Sequence, residues 1–312
     1  MLAIVDVILP VFGIMLAGYL CGRAGILGEG SSQALNAFVF YVALPALFFV
    51  AMARVPVSEA LNLPFIAAYC GGILAVFAAS ILLATVFFPN RPGALTLHAM
   101  SAIFANTGYM GIPLLAIAYG EPARMPGIIS TVINGAVVMG LVTVILEIDA
   151  HEGGDPLAIA RKVLAGVGKS PLILSALAGL AASAVELPLP RALTTFCDLL
   201  GATAGPCALF AIGLFMVGKS VTTGLTEVVW VSALKLLAQP LVTYGLAYYL
   251  LPLTPVEAAS AVVLSALPTG ALTFVLAQRY GVYLQRSVAI IVISTVASLV
   301  TLSALFVALE IG

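Results

Sequence analysis

The chain has 312 residues, of which 62% are hydrophobic and 8% are charged, and its net charge is −1. A soluble domain usually carries about 25% charged residues, so this composition excludes an ordinary soluble protein and indicates residence in a lipid bilayer. The sequence contains no basic stripe or block of the kind that binds nucleic acid.

Ten apolar segments are predicted to cross the bilayer as helices, because about 20 apolar residues span ~30 Å of hydrocarbon. A transmembrane barrel would need strands of about ten residues with alternating hydrophobicity, and the sequence does not alternate in this way. In chain order the predicted spans are Leu2–Cys21, Ser32–Ala53, Pro64–Phe87, Gly93–Tyr119, Pro126–Glu147, Ser170–Val185, Ala192–Gly218, Val228–Leu251, Pro255–Tyr280 and Arg286–Leu309.

The first segment is predicted to be a span rather than a cleaved signal peptide. It has no Lys or Arg before Arg23, and Asp6 stands where a signal peptide would have basic residues. The four cysteines lack the spacing of metal ligands and lie in or beside apolar segments, so we interpret them as small packing residues. We expect neither a metal nor a cofactor.

Spans four and nine contain short segments that look like copies of one another. Thr107-Gly108 returns as Thr269-Gly270 at an offset of 162 residues, and Tyr119-Gly120 returns as Tyr280-Gly281 at an offset of 161. Gly and Pro interruptions at matching places in two halves of a membrane protein indicate the binding site of a secondary transporter. A simple proline kink is the alternative for each span alone, but the symmetry favours two broken crossing helices.

The broken spans predict a binding site for an anion near the middle of the membrane. A broken helix presents free N–H groups and the positive end of a half-helix dipole. Carboxylates are absent from the sequence around both breaks, which offer neutral donors instead. Lys235 is added as a candidate because a Lys inside a span is functional by default, although it could also extend to the cytoplasmic surface. The predicted substrate-binding residues are Asn106, Thr107, Gly108, Tyr109, Gly111, Pro113, Pro268, Thr269, Gly270 and Lys235.

The loop charges predict the orientation of the chain. With the N-terminus outside, eight Lys and Arg residues fall in inner loops and three in outer loops, which favours both termini outside. Five spans in each half then make the halves inverted repeats. The predicted organisation is a first five-helix repeat at 1–147, a cytoplasmic linker at 148–169 and a second, inverted five-helix repeat at 170–312. Asp155-Pro156 predicts a short interfacial helix in the linker, with an irregular connection as the alternative.

Several motifs distributed along the chain carry a family resemblance. They are Leu9-Pro10-Val11-Phe12-Gly13 with Gly18-Tyr19, Leu35-Asn36 through Tyr41 to Leu44-Pro45-Ala46-Leu47, Asn106 through Leu114, Leu234-Lys235 with Pro240, and Leu267-Pro268-Thr269-Gly270. Together they resemble the auxin efflux carrier family, which includes the PIN auxin carriers of plants and bacterial relatives of the malonate-transporter type. Plant members carry an Asn before the proline of both crossings, whereas this chain has Ala266-Leu267 before Pro268.

The resemblance implies an all-α integral membrane fold of ten transmembrane helices, built as two inverted five-helix repeats with broken crossing helices four and nine. It further implies that spans one, two, six and seven form a scaffold, that the other spans move as a transport domain, and that two copies could pair through the scaffold helices. The inner (plasma) membrane of a bacterium is the location expected for such a carrier.

Four classes of function were compared. The favoured reading is a secondary carrier of a small organic anion, such as a mono- or dicarboxylate, that works by alternating access around a midplane site. The alternative is a sodium- or proton-coupled organic anion symporter of the bile-acid-transporter type. An intramembrane enzyme would need a convergent cluster of catalytic side chains, which the sequence does not suggest. A passive channel or receptor is the fourth class, and saturable exchange would exclude a simple pore.

Overall fold

The computed structural model describes residues 2–28, 30–54, 62–150, 171–218, 222 and 224–309, and within these residues it is all helical, with no β-strand. The short interfacial helix predicted at Asp155 lies outside the described residues. The helical segments are named in chain order: α1 Leu2–Arg23, α2 Ser31–Ala53, α3 Leu63–Phe87, α4 Pro92–Ile103, α5 Thr107–Tyr119, α6 Glu121–Asp149, α7 Pro171–Ala184, α8 Arg191–Met216, α9 Leu225–Leu250, α10 Pro255–Ser265, α11 Leu272–Tyr280 and α12 Leu284–Ala308.

Six of the described segments are long and apolar enough to cross a membrane. These are α2, α3, α6, α8, α9 and α12, and each has between 23 and 29 residues. At a rise of 1.5 Å per residue, even the shortest is roughly 35 Å long, which exceeds the hydrocarbon thickness. The protein is an integral membrane protein, and the prediction of an all-α membrane fold is confirmed at this level.

The two predicted helix breaks are present. α4 ends at Ile103 and α5 begins at Thr107, while α10 ends at Ser265 and α11 begins at Leu272. The second break contains Pro268 and Gly270, which tolerate or enforce non-helical backbone, whereas the first break consists of Phe104, Ala105 and Asn106 and lies just before the Gly and Pro residues of α5. Each predicted crossing span therefore consists of two shorter helices with irregular backbone between them.

Polar side chains fix the starts of α3 and α10. Thr254 and Glu257 form a reciprocal capping box, in which the Thr254 N–H donates to Glu257 Oε2 at 2.8 Å. The Asn62 side chain accepts the Phe65 N–H at 3.0 Å and also donates to Glu257. The two helix starts are thereby tied together at one end of the molecule.

The helices pack mainly into two groups. In the first group α1 lies along the second half of α8, and α7 lies along the second half of α2. Close approach of α1 and α8 requires glycine, because a Cβ on Gly213 would collide with the Met15 carbonyl oxygen. In the second group α3 to α6 pack among themselves and against α9, α10 and α12. The crossing of the broken helices belongs to the second group and faces the first.

Candidate functional site

The two helix breaks meet and are hydrogen-bonded to each other. Ala105 and Thr269 form an antiparallel bridge, in which the Asn106 N–H donates to the Pro268 carbonyl at 2.9 Å. The Gly270 N–H donates to the Phe104 carbonyl at 2.8 Å. A Cβ at Gly270 would press into the Phe104 ring, so glycine is needed for this approach. The bridge satisfies backbone groups that the breaks leave without helical partners.

Side chains reinforce the crossing from both halves. The Thr269 hydroxyl donates to the Ser101 carbonyl at 2.7 Å, and the Thr269 N–H donates to Ser294 Oγ at 3.1 Å. On the other side, Asn134 Nδ2 donates to the Ala105 carbonyl at 3.1 Å and lies 3.3 Å from Thr107 Oγ1. Asn134 therefore ties α6 to the break of the first crossing.

Side chains of α9 hold the C-terminal ends of α4 and α10, the two half-helices that run toward the crossing. Lys235 Nζ donates to the carbonyl of Ser265, the last residue of α10, at 2.5 Å. Gln239 Nε2 donates to the carbonyl of Ile103, the last residue of α4, at 3.2 Å. Both side chains are completely buried. Lys235 therefore faces the protein interior rather than extending to the cytoplasmic surface.

A cavity of about 950 Å³ lies beside the crossing. It reaches from the breaks to the turn after α1, where Gly25 and Gly28 are exposed. Among the described residues that line it, none is an Asp, Glu, Lys or Arg. The cavity-lining residues with polar side chains are Ser32, Gln33, Asn36, Asn106, Thr107, Tyr109, Thr131, Asn134 and Gln278.

The structure brings half of the predicted site residues to the cavity wall, namely Asn106, Thr107, Gly108, Tyr109 and Gly270. The other predicted residues lie elsewhere in the crossing. Gly111 packs toward Leu264 and Leu267 of the second half. Pro268 and Thr269 serve in the hydrogen bonds described above, Pro113 contacts α8 at Gly205, and Lys235 caps α10.

The two crossings contribute differently to the cavity. At its break the first crossing supplies side-chain donors from Asn106 and Thr107, whereas the second supplies Gly270 and Ala271, just before α11, and has its polar side chain, Gln278, near the far end of α11. Because Asn134 is placed to donate to Thr107 Oγ1, the Thr107 hydroxyl hydrogen can point to a ligand. The starts of α5 and α11 add the partial positive charge of two helix N-termini. This chemistry suits an anion held by neutral donors.

Sequence reasoning did not identify the amide residues that line the cavity away from the breaks. These are Gln33, Asn36 and Gln278. A usable signal existed for α2, because Ser32, Gln33 and Asn36 are polar residues in an apolar span, and Ser32 and Asn36 are four residues apart on one helical face. Gln278 gave no such signal, since it stands near the end of its helix beside Arg279.

A second polar cluster was also missed, and it surrounds Glu227 at the start of α9. Glu227 Oε1 lies 2.8 Å from His98 Nδ1 and accepts a hydrogen bond from the Tyr283 hydroxyl at 2.6 Å. Glu227 Oε2 lies 2.9 Å from Arg286 Nη1. Burial, reinforced by the Glu227 charge, raises the pKa of Tyr283, so the phenol stays protonated as a donor. The cluster joins α4, α9 and the start of α12.

We expect Glu227→Gln to destabilise the protein strongly. The substitution removes the carboxylate charge that faces Arg286 and His98. Glu227 and His98 are buried, whereas the Arg286 side chain is 35% exposed, so the expected cost exceeds that of an exposed pair and reaches about 3 kcal/mol at most. The matched control is Asp198→Asn, because the Asp198–Arg54 pair, although 2.8 Å apart, has side chains that are 45% exposed. Such a pair contributes about 0–1 kcal/mol. Melting of the two purified variants in one detergent measures the difference, and equal melting temperatures would contradict a structural role for Glu227.

The sequence of this chain matches one protein family and is similar to several known proteins. A family described as "Membrane transport protein" matches residues 3–306. A Rhizobium meliloti protein named "Putative malonate transporter" is 31% identical over 317 residues, which cover 100% of this chain and 98% of the relative. The Escherichia coli protein named "Uncharacterized transporter YfdV" is 24% identical over 306 residues, covering 94% of each chain. A Methanothermobacter thermautotrophicus "Uncharacterized transporter" is 25% identical over 300 residues, covering 95% of each chain.

Proposed function

This chain belongs to the membrane transport protein family, the auxin efflux carrier family, and from that premise we propose that it is a secondary carrier of a small organic anion. The substrate class we propose is a mono- or dicarboxylate, moved by alternating access around a midplane site. Family and relatives point to transport rather than catalysis, and we infer that the protein is not an enzyme. We place the carrier in the inner membrane of a bacterium, as the Rhizobium meliloti relative suggests.

The observation that carries this proposal is the position of the cavity at the meeting point of two half-helix N-termini. The cavity holds Asn106 and Thr107 from one crossing and the backbone of Gly270 from the other. Half-helix N-termini that point at anionic substrate groups are the arrangement by which broken-helix transporters bind carboxylates. An amine would lack a balancing carboxylate among the described lining residues.

The packing supports the proposed architecture of ten helices in two inverted repeats, 1–147 and 170–312, joined by the linker 148–169. Under this division α1 and α7 are the first spans of the two repeats, and α2 and α8 are the second spans. α1 packs on α8 and α7 packs on α2, so the first span of each repeat packs on the second span of the other. The antiparallel direction of the bridge between Ala105 and Thr269 also fits two repeats that enter the membrane from opposite sides. A homodimer through the scaffold helices belongs to the same proposal by resemblance alone.

Exchange in proteoliposomes tests the function. Purified protein should exchange radiolabelled malonate against internal malonate, with saturation, and unlabelled mono- and dicarboxylates should compete. Malonamide, which has a similar shape but no charge, is the matched control and should not compete. A linear, non-saturable flux would indicate a pore, and competition by the diamide equal to that by malonate would contradict recognition of the anionic group.

We expect both termini outside and the linker inside. A reporter that is active only in the cytoplasm should give a signal when fused at residue 155 and none when fused after Gly312. This orientation follows from the eight-to-three distribution of basic residues between inner and outer loops. With it, the turn after α1 faces the cytoplasm, and the cavity is the inward-facing substrate path. The reverse pattern of signals would invert the topology and make the same cavity outward-facing.

A further inference from the structure

We propose that the ammonium group of Lys235 takes the role that a coupling cation has in other broken-helix transporters. Transport then requires no sodium or other alkali cation at the crossing. This inference rests on the proposed function, because it concerns whether anion transport at the same site is coupled to a cation. It starts from the two C-terminal helix ends that meet at the crossing. In secondary transporters with broken helices, such ends and the neighbouring unwound carbonyls coordinate the coupling cation.

The two helix ends at the crossing require hydrogen-bond donors and favour a positive charge. α4 ends at Ile103 and α10 ends at Ser265, and each end leaves carbonyl groups without helical partners. Both helices also direct the negative ends of their dipoles to this place. In the middle of a bilayer, water is not present to satisfy such groups, so protein groups must do it.

α9 meets this requirement with two side chains that lie one helical turn apart. Lys235 donates to the Ser265 carbonyl at 2.5 Å, and Gln239 donates to the Ile103 carbonyl at 3.2 Å. Residues four apart share a helix face, so both donors approach the crossing from the same side. Only Lys235 brings a charge.

The burial of Lys235 is otherwise difficult to explain. The side chain is completely buried and does not line the cavity, so it is neither a surface anchor nor a direct contact for a substrate. An isolated ammonium in this environment would be very costly, whereas one that is hydrogen-bonded to a helix C-terminus is stabilised by it. Lys235 is therefore a positioning residue that keeps the end of α10 in place while the N-terminal ends of α5 and α11 remain free for the anion.

A series of salts tests the wild-type protein first. Malonate exchange is measured with sodium, potassium or N-methyl-D-glucamine as the sole cation at one ionic strength, and the rates should be equal. The melting temperature of the substrate-free protein in the same salts should also be equal. A rate or melting temperature that depends specifically on sodium would overturn the inference. Since melting requires no substrate, it decides the inference even if the chain exchanges no carboxylate and the proposed function fails.

Three substitutions separate charge from hydrogen bonding. Lys235→Met removes both, Lys235→Gln keeps a donor without charge, and Lys235→Arg keeps the charge. We expect the two neutral variants to lose roughly tenfold or more in maximal exchange rate, the scale of a lost hydrogen bond to a charged group. Lys235→Arg should recover most of that loss.

The neutral neighbour on α9 supplies the matched control. Gln239→Leu removes a hydrogen bond to the other helix end without changing any charge, so it should cost less than Lys235→Gln. Equal rates for Lys235→Gln and Lys235→Arg, or wild-type rates for Lys235→Met, would show that no charge is needed and would overturn the inference. If neither neutral variant reaches the membrane folded, the wild-type salt series still decides.

Discussion

Asn106→Ala is expected to weaken carboxylate binding roughly tenfold or more while leaving the protein folded, since a hydrogen bond to a charged group contributes about 1.5–3 kcal/mol. The Asn106 side chain lines the cavity, and its backbone holds the crossing through the Pro268 carbonyl. Alanine keeps that backbone bond and removes only the amide. The affinity for malonate, measured by calorimetry or by the shift in melting temperature on titration, tests the expectation.

The matched control for Asn106 is an asparagine outside the cavity. Asn90 is exposed between α3 and α4, where its Oδ1 accepts the Arg91 N–H at 2.9 Å. Asn90→Ala makes the same chemical change and should leave malonate affinity unaltered. If Asn106→Ala binds malonate as tightly as Asn90→Ala does, the Asn106 amide is not a substrate ligand, and the anion site must be sought along α2 at Gln33 and Asn36.

The local features of the fold could be predicted from the sequence because they depend on local chemistry. Apolar length determines where helices cross the bilayer, and the observed α3, Leu63–Phe87, begins within one residue of the predicted span. Gly and Pro indicated the two interruptions approximately: Pro268 lies in the second break, whereas the first break ends at Asn106, just before Gly108 and Pro113, which are helical. The meeting of these breaks followed from their symmetric positions along the chain.

The partners of individual side chains could not be predicted in the same way. Thr269 was expected to offer its hydroxyl to a substrate, but the hydroxyl donates to Ser101, which lies 168 residues away. Glu227 and His98 form a pair across 129 residues, and neither sequence neighbourhood indicates the other. Such contacts depend on the rotation and register of packed helices, which apolar periodicity does not specify in segments that are apolar on all faces. The predicted role of Thr269 in substrate binding stays a prediction, with a structural role added to it.

Crosslinking across the two packing groups should stop transport, because the proposed alternating access moves α3 to α6 and α9 to α12 past α1, α2, α7 and α8. α8 offers two glycines one helical turn apart that face different partners. A Cβ placed on Gly205 lies 3.1 Å from Pro113 Cβ of α5, across the boundary. A Cβ placed on Gly201 lies 3.2 Å from Leu47 Cβ of α2, inside the scaffold. Both separations are close to the Cβ–Cβ distance of about 3.5–4.5 Å in disulfides.

The two cysteine pairs therefore form a matched experiment on one helix. In a background without the four native cysteines, oxidation of Gly205→Cys with Pro113→Cys should reduce malonate exchange to background, and a reducing agent should restore it. Oxidation of Gly201→Cys with Leu47→Cys should leave exchange close to that of its own reduced form, because neither partner moves relative to the other. Each pair is compared only with its reduced form, so any effect of replacing Pro113 itself cancels. The contrary result is a Gly205–Pro113 crosslink that mass spectrometry shows to be complete, with exchange as fast as in the uncrosslinked, reduced form. Such a result would show that α8 and α5 do not move apart. The rigid-body account of alternating access would then fail, even if the anion site at Asn106 were correct.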